Sequence, residues 1–305
     1  LFDQDRLDGR GERSVAGDDR VQQTCAYLRM LLLRPGEYRG TWQRHAPATT
    51  PERIDYPAVA KIVGRDPVVV EEALEGQSLD AETLAAFVAS FEIRPRHAER
   101  LTGLMNGSPA VRAIAGSLRV DRPDSGERPP ASHDTLSLHE LHVLGPDGKP
   151  AEHQTIQLIR SNVDGLESFP YRFDTDELVV EVVTGGRVGD VYRWNESLHA
   201  VDIHLPRPLA QGETALVQIR CTFGYRDMPP PEFRRGVLGS ALDLTMWVSF
   251  DRERLPKRVW LGRWDALDEQ IVEREAAPLD EERSVHARFD AISRAIVGFT
   301  WDWED

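Results

Sequence analysis

The apolar positions of this chain follow two different periods, and the place where the period changes divides the sequence. From Arg20 to about Arg34, the residues Val21, Leu28, Leu31 and Leu32, with Tyr27, recur at the spacing of an amphipathic helix that Pro35-Gly36 ends. Residues 40–51 read as loop. Thr50-Pro51-Glu52 then supplies a capping residue, a first-turn proline and a first-turn acid, which predicts a second helix to about Val63. Gly64 closes it, and Asp66-Pro67 opens a third helix bearing Val69, Val70, Ala73 and Leu74, closed by Gly76. Asp80 opens a fourth, with Leu84, Phe87, Val88 and Phe91, and a fifth runs from about Pro95 to Met105. Five short helices with short connections predict a compact bundle.

Beyond residue 132 the period becomes two. It is clearest in Ile156-Gln157-Leu158-Ile159-Arg160 and in Leu242, Leu244, Met246, Val248 and Phe250. Turn signals separate such runs: Pro146-Asp147-Gly148, Gly185-Gly186, Gln211-Gly212-Glu213 and Pro229-Pro230-Pro231. About ten short strands without helical crossovers predict an antiparallel β-sandwich of the immunoglobulin-like kind. The expected fold is therefore α+β with two domains. Residues 1–19 form a flexible lead-in, 20–107 the helical domain, 108–132 a linker rich in proline and charge, and 133–305 the sandwich.

A chain of 305 residues with 40% hydrophobic content can pack two cores without covalent staples. Cys25 and Cys221 fall in different predicted domains, which leaves no disulfide framework and no thiolate metal site. With no apolar run near the roughly 20 residues of a membrane span, and no secretory signal, the expected compartment is the cytoplasm. The net charge of −14 argues against a protein that coats nucleic acid. Its distribution is uneven: Arg20, Arg29, Arg34, Arg39 and Arg44 face only Glu37 between residues 20 and 50. A contact with DNA would have to be local.

The segment Tyr56-Pro57-Ala58-Val59-Ala60-Lys61-Ile62-Val63-Gly64, followed by RDPVVVEEALEG, has the form of a helix, a glycine turn and a second helix. Two helices crossing steeply need a small residue at the turn and apolar residues to lock them, here Ala60, Val63, Val70 and Leu74. With the following LDAETLAAFVASFEI, the chain resembles the XRE-type (Cro/repressor-like) helix-turn-helix regulators. The stretches TIQLIRSNVDGL, YRFDTDELVVEVVTGG, HAVDIHLPRPL and MPPPEFRRG resemble the C-terminal region of actinobacterial members. The resemblance implies a transcriptional regulator whose recognition helix spans residues 66–75, with base contacts at Asp66, Val68, Val69, Glu71 and Glu72. It leaves room for a homodimer. The chain departs from the pattern here, because Asp66 to Gly76 holds four acids and no base. Glutamates facing phosphates are repelled, although a glutamate can accept from cytosine N4. Backbone contacts would then fall to Arg29, Arg34, Arg39, Arg44, Arg94, Arg96 and Arg100.

The remaining constellations are weaker. His133, His139, His142 and His153 cluster around the first hairpin, but His139 and His142 point to opposite strand faces, so no metal is expected. Asp174-Thr175-Asp176-Glu177 reads as a turn, and Gly185, Gly186 and Gly189 lack the lysine and helix of a phosphate cradle. Six of the seven tryptophans lie in the β half. Trp247, out of phase with Met246 and Val248, points outward and is a candidate anchor for a partner. Phe233, Arg234 and Arg235 follow the triple proline on what reads as a loop, a second candidate partner element. No nucleophile, base and acid converge, and no cofactor motif is present, so the expected role is non-enzymatic. The β domain would sense a small-molecule effector or bind a protein. An interaction factor with a degenerate, acidic helix-turn-helix is the alternative, and an enzyme with a site in the β domain the second.

Overall fold

The computed structural model describes residues 11–33, 54–115, 132–175, 177–195, 198–225, 227–265 and 271–303. The chain divides into two compact units, residues 1–115 and 116–305.

The first unit contains α1 (Gly11–Leu33), α2 (Tyr56–Val63), α3 (Pro67–Leu74), α4 (Ala81–Ser90) and α5 (Pro95–Met105), followed by a strand, β1 (Val111–Ala115). Local chemistry sets most of the helix starts. The Asp55, Asp66 and Asp80 carboxylates accept the backbone N–H groups of Ala58, Val68 and Thr83 at 3.1, 2.9 and 2.6 Å. Pro57, Pro67 and Pro95 sit in first turns, where a missing N–H costs nothing. Gly64 ends α2 with φ of 69°, a left-handed conformation that a side chain resists. Tyr27, Leu28, Leu31 and Leu32 of α1 are buried with Val59, Val70, Leu74, Phe87 and Leu101.

Two expectations are corrected in this unit. Residues 11–19 are helical, so α1 begins well inside the expected lead-in. The expected linker holds β1, which is tied to α1 by the Ala113 N–H donating to Gln23 Oε1 at 3.2 Å. The second helix starts from Asp55; Thr50-Pro51 lies outside the described residues.

The second unit is β-rich. Its strands are β2 (His133–Leu144), β3 (Pro150–Ser161), β4 (Leu166–Phe173), β5 (Glu177–Thr184), β6 (Arg187–Arg193), β7 (His199–Leu209), β8 (Thr214–Phe223), β9 (Glu232–Ser249), β10 (Pro256–Trp264), β11 (Ile271–Ala276) and β12 (Ser284–Trp303). A large sheet runs in the order β5-β8-β3-β2-β9-β12-β10-β11, and a small one in the order β4-β7-β6. Gly148, at φ of 79°, closes the β2–β3 hairpin where the Pro-Asp-Gly signal places it. The expectation of purely antiparallel pairing is corrected by β2 and β9, which pair in parallel from Thr135↔Ala241 to Val143↔Ser249. A parallel pair needs a long crossover. Here strands rather than a helix make it, and a period-two pattern cannot reveal that.

Alternation along β2, β3 and β9 sends Leu138, Ile159, Leu244, Met246 and Val248 to the inner face of the large sheet. The small sheet reaches that face through Tyr171 of β4, which meets Thr155 and Cys221.

Candidate functional site

Two places bring together the residues singled out from sequence. The first is α3. The helix buries Val70, Ala73 and Leu74 and turns Val68, Val69 and Glu71 to solvent, with Val68 59% and Val69 37% exposed. Glu72 is half-buried. This outward face carries apolar and acidic groups and no cation.

The arginines expected to hold phosphate are not all available. Arg29 forms an ion pair with Glu75 and also donates to the Leu74 carbonyl at 3.4 Å, which staples α1 to the end of α3. Glu75 accepts as well from the Tyr56 hydroxyl. That hydroxyl, with Arg29, holds the Glu75 carboxyl below its ordinary range. Arg100 is a correction. It is 2% exposed and donates to the Tyr27 hydroxyl at 3.4 Å, while Tyr27 meets His97 Nδ1 at 2.6 Å. Its guanidinium is held inside the bundle and cannot meet a phosphate. Arg94 is exposed and Arg96 half-buried; Arg34, Arg39 and Arg44 lie outside the described residues.

The second place is the inner face of the β unit. Phe233, Arg234 and Arg235 lie in strand β9 and not on a loop, a further correction. Backbone pairing from Phe233↔Phe299 to Arg235↔Val297 locks them against β12 and points alternate side chains to opposite faces. Arg234 pairs with Glu232 and lies over the Trp264 ring at 5.4 Å. Phe233 and Arg235 turn inward, where a polar cluster lies buried. Phe233 stacks on His142 with centroids 4.5 Å apart and planes 5° from parallel. His142 Nδ1 is 3.4 Å from His153 Nδ1. His153 Nε2 lies 3.1 Å from Thr155 Oγ1 and 3.5 Å from Glu140 Oε1. Arg235 Nη1 completes the group, 3.2 Å from the same carboxylate oxygen.

Electrostatics follow from this enclosure. Burial pushes the Glu140 carboxyl up, but the Arg235 guanidinium and His153 outweigh it and hold the group below its ordinary range. Burial, with the neighbouring His153, holds His142 well below the usual imidazole value. Burial likewise keeps the Tyr171 hydroxyl well above its ordinary value.

The four hairpin histidines separate as follows. His139 faces outward against Ser137, His133 packs on Phe169, and His142 and His153 meet because they are direct cross-strand partners. Glu140 was missed by sequence reasoning, as were Thr155, Tyr171 and Cys221. A signal for the first two existed: Glu140-x-His142 and His153-x-Thr155 flank a turn that fixes their register. On the opposite face Trp247 is 42% exposed, flanked in register by Leu141 and His286.

No protein-family model and no curated protein matches the chain. Among solved structures it is similar to a putative protease from Parabacteroides distasonis, at 8% identity and a TM-score of 0.37, over 56% of this chain and 40% of that one. It is similar also to an M1 zinc metallopeptidase from Deinococcus radiodurans, at 15% identity and a TM-score of 0.28, over 55% of this chain and 43% of that one. The chain thus spans about two fifths of the length of the structures it matches, and likeness this slight assigns neither fold nor activity.

Proposed function

We propose that this protein is a regulatory interaction factor whose helical unit, arranged as a helix-turn-helix, uses α3 to contact a protein instead of DNA. The observation that carries the reading is the outward face of α3: Val68 and Val69 in solvent, beside Asp66 and Glu71, with no Lys or Arg among them. Exposed neighbouring valines favour burial against a partner, and the surrounding carboxylates repel phosphate. The matching partner is a protein surface with apolar side chains inside a basic rim. The β unit, a two-sheet sandwich-type body in this reading, supplies a second contact at Trp247 or takes an effector.

A second reading, a DNA-binding transcriptional regulator, is favoured by the left-handed Gly64 turn between α2 and α3 and by the excess of arginine between residues 20 and 50. A salt titration of genomic DNA fragments separates the two. The interaction reading expects no binding by the wild-type chain at low salt, and gain of weak, non-specific binding on Glu71→Gln with Glu72→Gln. Measurable wild-type binding that falls steeply with salt overturns it in favour of the regulator. A photo-crosslinker at position 68, used in cells, should then join one protein through a basic contact segment, and Val69→Asp should abolish that adduct.

A further inference from the structure

The buried histidines of the β unit have no part in either reading of α3. We propose that the His142–His153 pair, enclosed between the sheets with Glu140 and Arg235, is an acid-triggered release that opens the inner face of the β unit. The argument is one of proton positions. Two Nδ1 atoms 3.4 Å apart can share a hydrogen bond only while one of them is unprotonated, since a doubly protonated imidazole has donors and no acceptor. One proton has a place. It lies between the two Nδ1 atoms, while the His153 Nε2 faces Glu140 and Thr155.

A second proton, on His142, has none. Its Nε2 is buried without a hydrogen-bond partner among the described residues. Its neighbours are rings: Phe233 stacked at 4.5 Å and Phe223 at 6.1 Å. The charged and titratable groups facing the pair are Glu140 on its own strand, His153 on β3, Arg235 on β9, Cys221 on β8 and Tyr171 on β4. Glu140, the one carboxylate among them, already lies between Arg235 and His153. A cation on His142 would therefore be buried with no acceptor at Nε2 and no carboxylate of its own, away from water.

The sign follows from linkage. His142 is held well below the ordinary imidazole value by burial and by His153, so below about pH 6.5 the unfolded or opened chain binds a proton that the closed form does not. Stability present above that pH is lost as pH falls, by up to about tenfold in the closing equilibrium per pH unit. Protonation of Glu140 belongs to a separate, more acidic window below its ordinary carboxylate range. Opening separates Tyr171 from Thr155, and with them the small sheet from the large one.

The test is urea unfolding of the full chain between pH 7.5 and 5, followed by tryptophan fluorescence, together with binding of an apolar dye at pH 5. Wild type should lose about tenfold more per pH unit than His142→Phe, which keeps a ring against Phe233 and cannot titrate. Wild type should also bind dye at pH 5 where the variant does not. His139→Gln, on the outer face, should keep the wild-type slope. Equal slopes for wild type and His142→Phe overturn the proposal. Should that variant fail to fold, the imidazole resonances of the wild-type chain decide. A His142 ring still neutral at pH 5.5 in the closed form supports the release, and one that titrates near 6.5 overturns it.

Discussion

The two units differ in where most of the polar side chains described above do their work. In the helical unit the carboxylates of Asp55, Asp66 and Asp80 sit at helix starts, each accepting a backbone N–H that its own turn leaves open. In the β unit Glu140, His142, His153 and Thr155 lie mid-strand, on the inner face, and are answered by residues of other strands. The contrast is physical. A helix satisfies its own backbone except at its ends, and the three cap carboxylates serve those ends, while Tyr27, His97 and Arg100 form a smaller buried group between two helices. A strand places every second side chain on one face, so polar residues two apart on neighbouring strands collect into one enclosed group. The cap carboxylates are thus cheap to alter one at a time, and the enclosed polar group of the β unit is costly.

That comparison can be broken or sharpened by substitution. The largest effect is expected for Glu140→Ala, which leaves Arg235 beside a buried histidine pair without its carboxylate. Urea unfolding should show a loss of about 3 kcal/mol, confined to the β-unit transition. A loss below 1 kcal/mol would break the contrast. Next is Tyr27→Phe, a helical-unit change that acts like a β-unit change. It removes the hydroxyl shared by His97 and Arg100 and should cost about 2 kcal/mol, read from helical ellipticity against urea.

Asp80→Ala should cost about 1 kcal/mol, as loss of a cap does. Hydrogen bonds from Thr83 hold the Asp80 carboxyl below its ordinary range, so this contribution is present above that range and disappears as pH falls through the depressed value. A difference between wild type and Asp80→Ala that persists at pH 2 would contradict the assignment. Trp247→Ala should come last, changing stability by no more than about 0.5 kcal/mol because the ring is half in solvent. The same change should abolish binding of any partner that docks on that face.

The candidate site was legible in parts. The outward direction of Trp247 is legible because its phase against Met246 and Val248 is a local property of one strand. Phe233 and Arg235 were noticed through the triple proline before them, but for a loop role, since their pairing with β12 involves residues more than sixty positions away. Arg100 read as a surface cation because an arginine two turns into an amphipathic helix normally snorkels. The approach of Tyr27 from α1 gives it a buried partner.

What the sequence determined by itself was whatever depends on a few neighbouring residues. The change of period, the Asp66 and Asp80 caps, the Gly64 turn and the Pro-Asp-Gly hairpin are of this kind, because capping, left-handed glycine and side-chain alternation act over one turn of chain. What only the tertiary structure decided was pairing at a distance: the parallel match of β2 with β9, the strand β1 within the expected linker, and the meeting of Arg235 with Glu140. Strand order is set by which faces bury together across the whole sheet. An alternating pattern says which side of a strand goes inward and nothing about which strand will lie beside it.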